Sequence, residues 1–195
     1  SNSLTSSGEA IAIASLTIVG INYATELSHD GKVSKKELLP IVTNDTLEVK
    51  FVTNDFFSKS NHQISNLRVT QDSSKHNIIY SNNVNFHLKY TDKKQPYVIV
   101  EKTAQGKNFD EANKRAEKIK YNFKFVGKQL LLDNYFLTDV ENKFRGQEVR
   151  LYLYLPKGIY FETDKNFYTY DISNNDFFNL HYSSSDYIYR VELKK

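Results

Sequence analysis

The sequence predicts an all-β fold with one short helix, built from about ten or more short strands arranged as a sandwich, barrel or solenoid. Three observations lead there. The 195 residues include 14 Tyr and 13 Phe but only 7 Gly, 3 Pro and no Trp, a mix that favours strands. Apolar and polar residues alternate with period two over several separate segments. Turn-prone Asn, Asp, Ser and Gly residues fall between most of those segments. The length fits one domain, or one domain with a short appendage, and 39% hydrophobic residues supply enough apolar material for a core.

Residues 10–24 run without a charge. The run is too short to span a bilayer, which takes about 20 apolar residues. No Lys or Arg precedes it, as a secretory signal would require. It reads as a buried strand or packing segment, or as the trailing end of a transmembrane helix with Glu26, His29, Asp30 and Lys32 marking the exit into water. The absence of Met, even at position 1, suggests a piece excised from a longer protein, with Ser1-Asn2 as a cloning scar. A polar connector follows through Lys35, Lys36 and Glu37. Residues 1–44 are thus expected to be an N-terminal lead and residues 45–195 a β domain.

From Asp45 strand signals dominate. Leu47 to Phe51 and Val84 to Tyr90 alternate apolar with polar, one face dry and one wet. Ile64 to Val69, Ile78 to Tyr80, Tyr97 to Val100, Tyr121 to Phe125 and Leu130 to Leu132 continue the series. In Val149 to Leu155 the aliphatic side chains point one way and Arg150, Tyr152 and Tyr154 the other. Pro156-Lys157-Gly158 stops that strand, since Pro lacks an amide hydrogen and Gly accepts a positive φ. Ile159 to Glu162, Phe167 to Tyr170, Asn179 to Tyr182 and Tyr187 to Leu193 complete the set. Tyr168/Tyr170 and Tyr187/Tyr189 repeat an i, i+2 aromatic pairing suited to a ladder across strands.

One helix is expected, over about 109–120. Asn108 can cap it, Asp110 and Glu111 sit in its first turn, and Lys118 and Lys120 in its last. Ala112, Ala116 and Ile119 form its apolar stripe, and two alanines there allow close approach to a strand face or an open edge. Lys114, Arg115 and Lys118 line the opposite face, either solvated or drawn to anionic lipid.

Several function classes drop out. Without Cys there is no thiol catalysis, thiolate metal site or disulfide scaffold. A formal charge of +3 from 26 basic and 23 acidic residues forms no basic stripe, so no nucleic-acid partner is expected. The histidines at 29, 62, 76, 87 and 181 never take a zinc-binding spacing, and no metal or other cofactor is expected. No Gly-x-Ser-x-Gly elbow occurs, and Gly106-Lys107 lacks the upstream glycine of a phosphate loop. Asp133, Asp139, Glu141 and Glu148 lie around one strand-turn-strand unit where a glycosidase pair would be sought, but Lys143 and Arg145 are interleaved with them as in a charge-balanced turn. No catalytic residue is assigned. The binding candidates are Tyr152 and Tyr154, with Lys114, Arg115 and Lys118 on the helix.

The central stretch carries a family pattern. It comprises Val100-Glu101-Lys102-Thr103-Ala104-Gln105-Gly106, then Ala112, Arg115-Ala116, Ile119 and Tyr121, then Leu130-Leu131-Leu132-Asp133-Asn134-Tyr135-Phe136. Lys143-Phe144-Arg145-Gly146-Gln147-Glu148-Val149 and Leu153-Tyr154-Leu155-Pro156-Lys157-Gly158 extend it. From about Asp45 to about Thr163 the chain resembles the C-terminal domain of PspC-like (phage shock protein C-like) membrane proteins of Bacteroidota; the Tyr-rich tail after Phe167 follows the pattern less closely. The resemblance implies a "toast-rack" fold, a repetitive, solenoid-like array of stacked short strands, with a β-sandwich as the alternative. It also implies an inner-membrane anchor and a domain facing the periplasm, in a protein linked to envelope stress. The expected role is non-enzymatic sensing or scaffolding, with membrane association in the full-length protein and a protein or envelope component as partner. The alternatives are an adhesin-like or carbohydrate-binding β domain using exposed tyrosines, and a cryptic glycosidase.

Overall fold

Alternation along Glu148–Pro156 shows how this sequence makes its strands: Val149, Leu151, Leu153 and Leu155 are all fully buried, while Arg150, Tyr152 and Tyr154 face the other way. Burying each aliphatic side chain contributes about 2 kcal/mol, so a one-residue slip in register would cost the strand its core face. The computed structural model describes residues 28–42, 44–53, 67–173, 178, 180 and 184–193. The uncharged run at 10–24 and most of the strand expected at 179–182 lie outside the described residues.

Within them the strands are β1 (His29–Leu38), β2 (Thr46–Val52), β3 (Leu67–Gln71), β4 (Asn77–Ser81), β5 (Val84–Thr91) and β6 (Tyr97–Gly106). Helix α1 (Phe109–Glu117) follows, then β7 (Phe123–Val126), β8 (Gln129–Asp133), β9 (Phe136–Asp139), β10 (Glu148–Pro156) and β11 (Tyr160–Thr163). The short helix α2 (Phe167–Tyr170) and β12 (Ile188–Arg190) complete the set. Among the described residues the fold is mostly strand, as expected, with two α-helices and no closed barrel.

Three sheets form: sheet A in the order β1-β6-β10-β5, sheet B in the order β12-β11-β2-β8-β7 and sheet C in the order β3-β4-β9. In sheet A, β1, β6 and β10 are antiparallel and the edge strand β5 lies parallel to β10; in sheet B the parallel run β11-β2-β8 is flanked by antiparallel β12 and β7. The Pro156–Gly158 turn carries the chain from β10 in sheet A to β11 in sheet B, with Gly158 at φ 87°. Its N–H donates to Val191 O at 2.8 Å. Inward residues of the two sheets join one core, where Phe51 of β2 meets Phe86 of β5 at a ring separation of 5.9 Å. Phe167 wedges against both rings. Sheet C has a smaller cluster of Ile78, Tyr80 and Tyr135.

Helix α1 lies against β1 and β6 where their inward residues run beyond the core. Asn108 Oδ1 accepts from Glu111 N–H at 2.9 Å, and Ala112 and Ala116 are buried, as the sequence predicts. The expected cover over a strand face is thus present. The helix ends at Glu117 rather than near 120, because Lys120 pairs with Leu137 as a β-bridge. Lys102 reaches from β6 to donate to Glu117 O at 3.0 Å and Ile119 O at 2.9 Å, closing that end with a cation.

Two expectations change. Lys35, Lys36 and Glu37, expected in a polar connector, lie in β1, the edge strand of sheet A, which pairs with β6 along all ten positions. Phe167 to Tyr170 form a helical turn instead of a strand, so Tyr168 and Tyr170 build no ladder.

Candidate functional site

Sheet A turns one face to the core and the other outward. Register sets the outward residues in rows: Leu38–Tyr97–Tyr154–Lys89, then Lys36–Ile99–Tyr152–His87, then Ser34–Glu101–Arg150–Asn85, and Lys32–Thr103–Glu148. Each strand contributes by alternation, since the residues between them, such as Val98, Val100, Phe86, Leu88, Leu151 and Leu153, fill the core.

The first two rows are aromatic. Tyr97 stacks on Tyr154 at a centroid distance of 4.6 Å and an interplanar angle of 12°, and His87 stacks on Tyr152 at 4.8 Å and 11°. Such cross-strand pairs stabilise the sheet, and they leave Tyr152 and Tyr154 each with one ring face occupied. Burial raises the hydroxyl pKa of both tyrosines. Burial, followed by the charges of Lys89 and Arg150, lowers the His87 imidazole and favours its neutral form.

The other rows hold an ion-pair network. Lys32 Nζ lies 3.3 Å from Glu101, Arg150 lies 3.6 Å from Glu101 and 2.7 Å from Glu148, and Asn85 Nδ2 donates to Glu148 Oε1 at 2.7 Å. Burial alone would raise the Glu148 carboxyl, but the hydrogen bonds from Arg150 and Asn85 together outweigh it and hold the group below its usual value. Lys32, Glu101, Glu148 and Arg150, with Asp30, Gln105 and Gly146, line a groove of about 450 Å³. Glu101 and Glu148 therefore share a groove, tied to a common guanidinium. A carboxyl held ionised in this way lacks the raised pKa of a glycosidase general acid.

The remaining sequence candidates lie elsewhere. Asp133 lines a separate groove of about 360 Å³ as its one acid, beside Lys124, and burial raises its carboxyl. Asp139 pairs with Lys120 at 2.7 Å, and Glu141 is exposed. The helix cations are largely committed. Lys114 pairs with Asp110 at 2.7 Å, and Arg115 pairs with Glu111 while donating to Gln105 O at 2.9 Å. Arg115 is therefore a packing residue and not part of an open basic face, whereas Lys118 stays exposed. Sequence reasoning did not single out Tyr97, Glu101, His87, Lys36 or Lys93. Alternation along β5 already placed His87 outward, whereas Tyr97-Val98-Ile99-Val100 of β6 is apolar throughout and shows no facing; the register that sets these residues beside Tyr152, Tyr154 and Arg150 was missing as well.

The ToastRack domain found in some PspC proteins, compared as a family model, matches residues 70–195, well over half of the chain. The chain belongs to this ToastRack family. No curated protein and no solved structure matches it. The ToastRack match takes in the Tyr-rich tail through β12, beyond the point near Thr163 where the sequence resemblance weakens. It covers β10, β6 and β5, three of the four strands of sheet A, and begins after β1. Among the described residues, no helix of this ToastRack domain is long and apolar enough to cross a membrane.

Proposed function

We propose that this ToastRack domain is a non-catalytic binding module, the extracytoplasmic sensing or scaffold part of a membrane-anchored PspC-like envelope-stress protein, and that it works through the outer face of sheet A. One observation carries the assignment to that face: two stacked aromatic rows stand beside a carboxylate groove whose acids are tied to Arg150 and Lys32. Such a surface offers rings, hydroxyls and ordered charges to a partner, and Tyr and Arg are the residue types enriched at binding hot spots. Family membership supports the envelope-stress context. A stacked-array form of the fold goes with this reading. Strand β10 runs directly into β11 in the next sheet, and each lies parallel to a neighbour, β5 and β2 respectively.

The test is capture of partners from solubilised membranes by the full-length protein. Tyr152→Ser with Tyr154→Ser should reduce specific capture about tenfold or more, as removal of two hot-spot side chains does. Tyr168→Ser, on exposed α2, should leave it unchanged. Capture that survives the double substitution while the protein stays folded would remove the outer face of sheet A from the function.

A further inference from the structure

The cations on the outer face of sheet A fall into two groups. Lys32 and Arg150 are neutralised by Glu101 and Glu148. At the other end of the face, Lys36 and Lys93 converge on one ring, with Lys36 Nζ 3.9 Å and Lys93 Nζ 5.3 Å from the centroid of Tyr97. Among the described residues, neither has a carboxylate partner within ion-pair distance. Lys89, outward from β5 in the same row as Tyr97 and Tyr154, has none either.

The convergence is built into the fold. Lys36 comes from β1 and Lys93 from the β5–β6 turn, and that turn is fastened to the end of β1. Leu39 N–H donates to Pro96 O at 2.9 Å, Gln95 Nε2 donates to Leu39 O at 3.2 Å, and Lys93 N–H donates to Thr91 Oγ1 at 3.2 Å. Tyr97 is only 7% exposed and is stacked on Tyr154, so the ring beneath the two ammoniums is fixed. Attraction to the ring face favours each cation separately, yet two like charges placed together repel. Hydrogen bonding with the Lys93 amino group, then burial, then the charge of Lys93, lowers the Lys36 ammonium from its usual value.

We propose that Lys36 and Lys93 form a binding site for a phosphate group over the Tyr97 ring, which Tyr154 backs by stacking. A doubly charged oxyanion between the two ammoniums replaces their repulsion by two attractions and accepts charge-assisted hydrogen bonds from both. Phosphate fits better than a carboxylate because its charge matches a cation pair and it offers three strong acceptor oxygens. The site depends on the proposed function for its biological role but not for its existence, and phosphate binding is measured without any membrane partner.

The experiment is titration of the folded chain with inorganic phosphate at low ionic strength, followed by amide NMR shifts. Saturable binding is expected, with shifts centred on residues 36 and 92–97. Lys36→Ala with Lys93→Ala should weaken it about tenfold or more, as loss of two charge-assisted hydrogen bonds implies. Lys36→Arg with Lys93→Arg should retain it, and Lys114→Ala with Lys118→Ala should leave it unchanged. A second arm uses sedimentation with phosphatidylcholine vesicles, with and without phosphatidic acid, whose headgroup is a phosphomonoester. Phosphatidic-acid-dependent binding that the double Ala variant loses assigns the phosphate to a lipid headgroup; phosphate binding without vesicle binding assigns it to a soluble ligand. No saturable phosphate binding, or binding equal in wild type and the double Ala variant, overturns the proposal.

Discussion

Gly31 and Gly106 determine how closely α1 approaches sheet A. A Cβ at Gly31 would sit 2.2 Å from the backbone carbon of Ala112, and one at Gly106 would sit 2.6 Å from the Ala112 nitrogen. Neither contact can be relieved by rotating a side chain. Gly31→Ala should cost at least about 2 kcal/mol in urea unfolding, as overpacking a tight interface does. Gly127 is the control, because it has φ +63° and open space around its Cα. Gly127→Ala should cost only about 1 kcal/mol, from left-handed strain. Carboxylates supply a pH signature at the same scale. Glu148 is held below its usual value, so its stabilisation is full above the unfolded value near 4.3 and is lost as pH falls through the folded value. Asp164 is shifted upward by burial, which outweighs the N–H donors around it, so its contribution is full below about 3.9 and is lost as pH rises through the folded value. Glu148→Gln should therefore lose about 1 kcal/mol at pH 7 and nothing at a pH below both of its values. Asp164→Asn should be more stable than wild type at pH 7 and equal to it in acid. Unfolding curves at pH 7 and at successively lower pH check both signs.

Among the elements, α1 was the most legible in the sequence because its cap, first-turn acids and alanine stripe are all local. Asn108→Ala should cost about 1 kcal/mol, read as earlier amide exchange in the first turn. Strand β1 was not legible because its inward positions, Gly31, Val33, Lys35 and Glu37, are not an apolar series. Gly31 is small because the helix lies on it. Lys35 keeps its ammonium 5.1 Å from the Phe123 ring centroid, covering that ring with its stem. Lys32, Lys35 and Lys36 also place charge along this edge, as edge strands that resist pairing with other chains do. Strand β9 was hidden by Thr138, an inward residue that is fully buried and polar because Asn142 Nδ2 donates to its hydroxyl at 3.2 Å. In α2 the aromatic residues suggested a strand, but Asp164 and Asn166 turn the chain first. Asp164 O and Asn166 O accept from Phe167 N–H and Thr169 N–H, leaving Phe167 as the buried anchor.

At the scale of the whole molecule, the core strands and their inward faces were readable from period-two alternation, but the parallel pairing of β10 with β5 and of β11 with β2 was not. Those pairs join residues more than 60 positions apart in β10/β5 and more than 110 apart in β11/β2, and no local turn signal encodes them. The candidate site shared that fate. Tyr152 and Tyr154 were visible as outward aromatics, but their stacking partners Tyr97 and His87 became visible only through register. The most direct test of the outer face as the working surface is site-specific photo-crosslinking of the full-length protein in cells. The crosslinking residue would be placed in turn at positions 152 and 154 on sheet A and at positions 118 and 168 on the exposed parts of the helices. The account predicts discrete adducts from 152 and 154 and none from 118 or 168; adducts from 118 or 168 alone would contradict it.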